Sequence, residues 1–173
     1  DKDEKIKNAL KETQISGSMP GVKRCTISYL KRFTTRKIKN EEEFLDTIKE
    51  VFKENYWNIQ TVSFDDASLE SQYITMQNTD IFLSTQGTGS HMATFLREGS
   101  ASVEISALGN SLGATINKDI CRVIPTLKCY VCPTTEFGQT WKEVRLLEEI
   151  SVDIEALKAV LEEIHGELNE KCM

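Results

Sequence analysis

Thr79 to Ile105 reads TDIFLSTQGTGSHMATFLREGSASVEI, and the fold is decided within it. The apolar run Ile81-Phe82-Leu83 marks a buried strand. Gln86-Gly87-Thr88-Gly89-Ser90 is a glycine turn, and His91 to Arg97 is a short helical segment that Gly99 ends. A second strand follows, in which Ala101, Val103 and Ile105 alternate with Ser100, Ser102 and Glu104. The result is a strand-turn-helix-strand unit. Two glycines between strand and helix let the backbone come close to a ligand, and the first N–H groups of the helix face whatever lies over the turn. An anion suits that position.

The same pattern extends to both sides. Val22 to Leu30 is predicted as the first strand, with Cys25, Ile27 and Tyr29 on one face. Asn40, with Glu43 three residues on, reads as a helix cap, and Phe44, Leu45, Ile48, Val51 and Phe52 recur at helical spacing. Ile59 to Phe64 is the second strand. Asp65 to Ser68 turns into a helix carrying Leu69, Tyr73 and Met76, and Asp80 opens the third strand. Strands that alternate with helices imply an α/β fold: a Rossmann-like, open, mostly parallel sheet with helices on both faces and right-handed crossovers.

Beyond Ile105 the pattern blurs. Leu108 to Asn117 is rich in turns, with room for a short helix, and Cys121 to Pro133 suggests one or two short edge strands through Val123-Ile124 and Tyr130-Val131. From Ser151 the signal returns: Asp153 caps a helix whose Ile154, Leu157, Leu161, Ile164 and Leu168 form one apolar stripe. At the other end, Ser16-Gly17-Ser18-Met19-Pro20-Gly21 divides the chain into a linker or terminal helix, 1–22, and one domain, 23–173.

A length of 173 residues suits one domain with a real core. The formal net charge of −6 argues against a general nucleic-acid or anionic-membrane partner. No apolar run is long enough to span a bilayer. Against this acidic background Lys31-Arg32-Phe33-Thr34-Thr35-Arg36-Lys37-Ile38-Lys39 is the one dense basic run. A charge run is ordinarily a solvated loop. This one follows the carboxyl end of a strand, where open α/β sheets bind ligands, so Arg32 and Arg36 become candidates for a phosphate. The five cysteines include Cys129-Tyr130-Val131-Cys132. A lone CxxC with no second pair and no nearby histidines reads as buried thiols rather than a zinc or redox site. The absence of Asn-x-Ser/Thr sequons leans toward the cytosol.

Arg32, Arg36, Asn40 and Glu41, then Gln86-Gly87-Thr88-Gly89-Ser90-His91, Phe95-Leu96-Arg97-Glu98-Gly99 and Val103-Glu104-Ile105 together resemble the family 61 glycosyltransferases. That family includes plant xylosyl- and arabinosyltransferases and luminal O-linked N-acetylglucosaminyltransferases. The likeness runs from about Thr26 to Leu168, ending in Val152-Asp153 and Leu157. It departs at Gln86, where the family motif has histidine; an amide still donates a hydrogen bond but does not titrate.

The resemblance implies the carboxy-terminal, donor-binding half of a two-domain GT-B type enzyme, a hexosyl- or pentosyltransferase that inverts. The donor would be a UDP-sugar and the acceptor a protein or glycan. Its donor-binding residues would be Arg32, Arg36, Gln86, Gly87, Thr88, Gly89, Ser90, His91 and Glu104, the last toward the ribose. Arginines and helix N–H groups stabilise a leaving diphosphate without a metal, so neither metal nor cofactor is expected. No catalytic base is visible. In this family it comes from the amino-terminal half with the acceptor site, so the segment alone is expected to be inactive. The family's luminal members point to the secretory pathway, against the missing sequons, and localisation stays open between lumen and cytoplasm.

The alternative is a degenerate, non-catalytic nucleotide-binding or interaction module with the same fold, to which Gln86 gives weight. A dinucleotide-dependent oxidoreductase is disfavoured because the turn lacks the third glycine of GxGxxG and follows a late strand. A purely structural interaction domain would bind no nucleotide.

Overall fold

The structure is a computed structural model that describes residues 25–53, 56–108, 116–136 and 141–172. The expected linker, 1–22, and most of the turn-rich stretch between Leu108 and Asn117 lie outside the described residues. Five strands form the main sheet: β1 (Cys25–Leu30), β3 (Trp57–Val62), β4 (Ile81–Thr85), β5 (Ala101–Ser106) and β6 (Lys128–Pro133). Their spatial order is β3-β1-β4-β5-β6, and every neighbouring pair is parallel. The protein is therefore α/β with a five-stranded, Rossmann-like parallel sheet. Along the chain the first crossover steps outward from β1 to β3, and the next returns past it to β4. The direction reverses between β1 and β4, and at such a reversal the loops beyond the strand ends part to leave a crevice.

The central strands have no polar face to give to water, since all five residues of β4 and all six of β5 are buried. Helices cover both sides. On one side, α1 (Glu41–Val51) and α5 (Ile154–Cys172) pack Phe44, Ile48, Phe52, Leu157, Leu161, Ile164 and Leu168 against Ile27, Ile81 and Val103. Tyr29 and Phe44 meet edge-on with centroids 4.9 Å apart, as do Phe52 and Trp57 at 4.7 Å. Asp153 caps α5 as the sequence suggests, accepting from the Ala156 N–H at 3.1 Å. On the other side lie α2 (Leu69–Gln77), the 3-10 helix Thr88–Phe95 and α3 (Ile116–Val123), with Met76, Ala93 and Ile120 beneath them.

Several expectations need correction. The stretch through Val123-Ile124 is the end of α3 and not a strand: Ile116 and Ile120 are one turn apart on its inner face, the Ile124 N–H still bonds the Ile120 carbonyl at 2.8 Å, and Pro125 stops the helix. The second strand starts earlier, at Trp57, which pairs in register with Cys25. Asn40 stands at the start of α1 but makes no side-chain cap bond. Its amide instead clasps the backbone of Val152, donating at 3.0 Å and accepting at 2.9 Å. That clasp continues a two-stranded parallel ladder of β2 (Lys37–Ile38) with β7 (Glu149–Ile150), which follows the short helix α4 (Trp141–Leu146).

The cysteines also differ from the expected buried thiols. Cys25 pairs with Cys172, tying β1 to the end of α5, and Cys121 pairs with Cys129, tying α3 to β6. Only Cys132 keeps a free, buried thiol among the described residues. The CxxC is thus split: Cys129 bonds Cys121, eight residues before it, and Cys132 stays a thiol.

Candidate functional site

Where β1 and β4 part, the chain leaves β4 through Gln86 into Gly87. Gly87 has φ +151° and ψ −172°, a conformation essentially reserved for glycine. A Cβ built there would lie 2.7 Å from Arg32 Nη1 and 2.9 Å from Arg36 Nη2. Two guanidinium groups from the loop after β1 therefore close on one glycine at the tip of β4. The loop is shaped for this: Arg36 is itself left-handed at φ 54° and is 8% exposed. The Arg36 N–H donates to the Leu147 carbonyl at 3.0 Å, so the α4–β7 connection holds the backbone that carries it.

The other residues singled out in the turn divide by role. Gly89 leaves room for packing, since a Cβ there would lie 2.5 Å from Leu30 Cδ2. Ser90 is buried, and its hydroxyl bonds Ser84 Oγ at 3.0 Å and the Thr85 carbonyl at 3.2 Å, which fixes the turn to β4. Thr88 is exposed on the wall of a cleft, and His91 is exposed outside that wall. The cleft, about 410 Å³, is lined by Leu30, Arg32, Phe33, Phe64, Gly89 and Met92 among others. A larger hollow over α1, about 650 Å³, is walled by Glu42, Glu43, Asp46 and Glu50. Like charge makes that second hollow a poor place for an anion.

Gln86 and Glu104 lie beneath the glycine turn and are not open to the cleft. Gln86 is 1% exposed; its N–H donates to the Ile105 carbonyl at 2.8 Å and its Oε1 accepts from Ser106 Oγ at 3.1 Å. Glu104 is fully buried, and its Oε2 accepts from the Asn117 N–H at 2.7 Å, so the carboxylate caps α3. Burial pushes the Glu104 carboxyl up to about 7, against the lowering effect of the Asn117 and Ile116 N–H groups and of the Gln86 amide. Gln86 Nε2 and Glu104 Oε1 are both buried, and neither has a hydrogen-bond partner of regular geometry among the described residues. Glu104 shares the strand end expected for it, but its side chain faces the sheet and α3. Alternation along β5 gave no hint of this, because both faces of that strand are covered.

Sequence reasoning passed over Phe33, which is 56% exposed on the cleft wall, and the bonds that Asp80 makes away from the cleft. Asp80 joins three elements at the opposite end of β4, accepting from the Thr26 N–H at 3.0 Å and from Arg97 Nη2 at 2.9 Å. Among the described residues no three His, Cys, Asp or Glu side chains are grouped as metal ligands would be. The arrangement over Gly87 suits an anion with several oxygens: paired guanidiniums, a bare backbone, and a crevice at the reversal of strand order.

A family model described as Glycosyltransferase 61 matches residues 3–103. No curated protein matches the chain significantly. Among solved structures, the crystal structure of a diflavin flavoprotein A3 from Nostoc sp. is similar at 10% identity and a TM-score of 0.46, over 87% of this chain and 99% of that one.

Proposed function

The chain belongs to glycosyltransferase family 61, and from that premise we propose that it binds the diphosphate of a nucleotide-sugar donor between Arg32, Arg36 and Gly87. A glycosyltransferase needs a sugar donor and an acceptor. The observation that carries the reading is the approach of both guanidiniums to the Cβ position of Gly87, at 2.7 and 2.9 Å. As the glycosidic bond breaks, negative charge grows on the leaving phosphate, and two guanidiniums gathered beside it lower the barrier with no ion required. Thr88 offers a hydroxyl on the cleft wall. Gly89 and Ser90 hold the turn in place, while His91 stands at its outer edge. Gln86 and Glu104 support the turn from below, Glu104 as a positioning residue and not as a ribose ligand.

In this reading the donor is a UDP-sugar, the transfer is a metal-independent inverting displacement, and the domain is the carboxy-terminal half of a GT-B type enzyme. An acceptor hydroxyl, on a protein or glycan, attacks the anomeric carbon while UDP departs. The base that takes the hydroxyl proton belongs to an amino-terminal acceptor domain outside this chain. Two disulfides favour an oxidising compartment, hence the secretory lumen over the cytoplasm.

A second reading, a module that binds nucleotide without turnover, is favoured by Gln86, an amide that cannot exchange a proton where the family motif has an imidazole. Calorimetric titration with UDP in the presence of chelator tests the first part of both. Binding that survives chelator, falls at least about tenfold in Arg36→Ala and is lost in Gly89→Val supports a donor site at the turn. A folded wild-type sample with no UDP affinity overturns it. Transfer by the protein joined to its acceptor half then separates enzyme from binding module.

A further inference from the structure

Arg32 belongs both to the diphosphate site and to the lining of the neighbouring cleft, where Phe33 is left without a role. Phe33 stands exposed beside an arginine, and its setting is ordered. Lys31 Nζ lies 5.9 Å from the Phe33 ring centroid, and the same ammonium is held by Glu41 Oε2 at 2.5 Å. One side of the ring is thus engaged by an anchored cation, while 56% of the residue remains exposed on the cleft wall. Phe64, two residues past the end of β3, and Met92, from the 3-10 helix, line the same cleft. Gln72 lines the cleft too, and its amide nitrogen is spent on the carbonyls of Ala67 and Phe64, at 2.8 and 3.4 Å. That leaves its carbonyl oxygen as the group with which it can meet a ligand.

One cleft therefore carries a cation at Arg32, an aromatic platform one residue further on, apolar contacts at Phe64 and Met92 and an amide acceptor. A sugar phosphate would use the first and waste the rest. A ligand that joins an anion to a flat heterocycle uses all of them. We infer that Phe33 is the stacking platform for the nucleobase of a nucleoside diphosphate, which lies between Phe33 and the Phe64–Met92 wall with its ring N–H toward Gln72. This rests on the proposed diphosphate site at Gly87 and extends it to the base. An aromatic platform stacks any base, since every base has a π-face, so Phe33 contributes affinity while Gln72 contributes the preference for a base that presents an N–H donor.

The test uses two probes on the whole chain: UDP, which has a base, and inorganic pyrophosphate, which has none. Phe33→Ala is expected to weaken UDP by roughly tenfold or more and to leave pyrophosphate unchanged. Phe33→Trp should restore UDP to within about threefold of wild type, since it renews the aromatic face. Both are surface substitutions, and an unchanged melting temperature verifies the fold. Equal UDP affinity in wild type and Phe33→Ala, with pyrophosphate bound by both, overturns the base platform and leaves the diphosphate site standing. Parallel losses of UDP and pyrophosphate in Phe33→Ala also overturn it, because the residue would then act on the anion. Failure of wild type to bind either probe overturns the diphosphate site and the platform together.

Discussion

Replacing Gly87 with alanine probes the turn at its tightest point. Two effects follow from the structure. At φ +151° and ψ −172° a Cβ strains the backbone by about 1–3 kcal/mol. The new methyl also falls at 2.7 and 2.9 Å from the two guanidiniums, closer than carbon approaches nitrogen without bonding. Those neighbours are the far ends of long side chains and will swing away sooner than the backbone moves. Stability should therefore fall by about 1–3 kcal/mol and no more. Affinity for a diphosphate should fall further, since each displaced guanidinium gives up a charge-assisted hydrogen bond of about 1.5–3 kcal/mol, or roughly ten- to a hundredfold in Kd. Urea unfolding measures the first effect and UDP calorimetry the second. Gly166→Ala is the control: on the exposed face of α5 nothing lies within 4 Å of its Cβ position, and alanine should stabilise the helix by about 0.5–1 kcal/mol. A Gly87→Ala protein as stable as wild type with undiminished UDP binding would refute the reasoning.

Glu104 gives a pH signature. Its folded carboxyl titrates at about 7 against 4.5 ordinarily, so the folded state holds the proton more tightly and stability falls as pH rises between those values. The fall amounts to about 3 kcal/mol from this group. Glu104→Gln should flatten that part of the stability–pH curve, and a curve of unchanged slope would show that burial does not hold the proton. Asp80→Ala removes the acceptor of the Thr26 N–H and of Arg97 and should cost about 2–4 kcal/mol in denaturant unfolding. Loss of the Cys25–Cys172 bond, which spans 147 residues, should cost about 5 kcal/mol in the chain-entropy picture. Loss of the Cys121–Cys129 bond, which spans 8, should cost about 2.5 kcal/mol. A Cys25→Ala melting temperature no lower than that of Cys121→Ala would reverse this ranking.

What the sequence could tell was set by how local the determining forces were. Ile81-Phe82-Leu83 reads as a buried strand because every residue is apolar, and α5 reads as a helix because its stripe and its Asp153 cap lie within a few turns. Gly87 and Gly89 mark a turn wherever they occur. That Arg32 and Arg36 meet Gly87 depends on β1 and β4 being neighbours, a property of sheet order that no local pattern encodes. Asn40 shows the same limit. Its amide suits a helix cap, but Val152, 112 residues away, offers both a donor and an acceptor and takes it. Glu104 looks like the polar side of an alternating strand, yet α3 lies over that side and puts it in the interior. The two-residue strands β2 and β7 are too short for any periodicity to show, and the disulfides join elements far apart along the chain or across the edge of the sheet.

The claim that the diphosphate lies at the reversal of strand order is tested most directly by a crystal structure of the protein grown with UDP and chelator. Phosphate density within hydrogen-bond distance of the Arg32 and Arg36 guanidiniums, over the bare backbone of Gly87, is the expected result. UDP bound anywhere else on the surface, or a Gly87 turn left empty at saturating UDP, would contradict it.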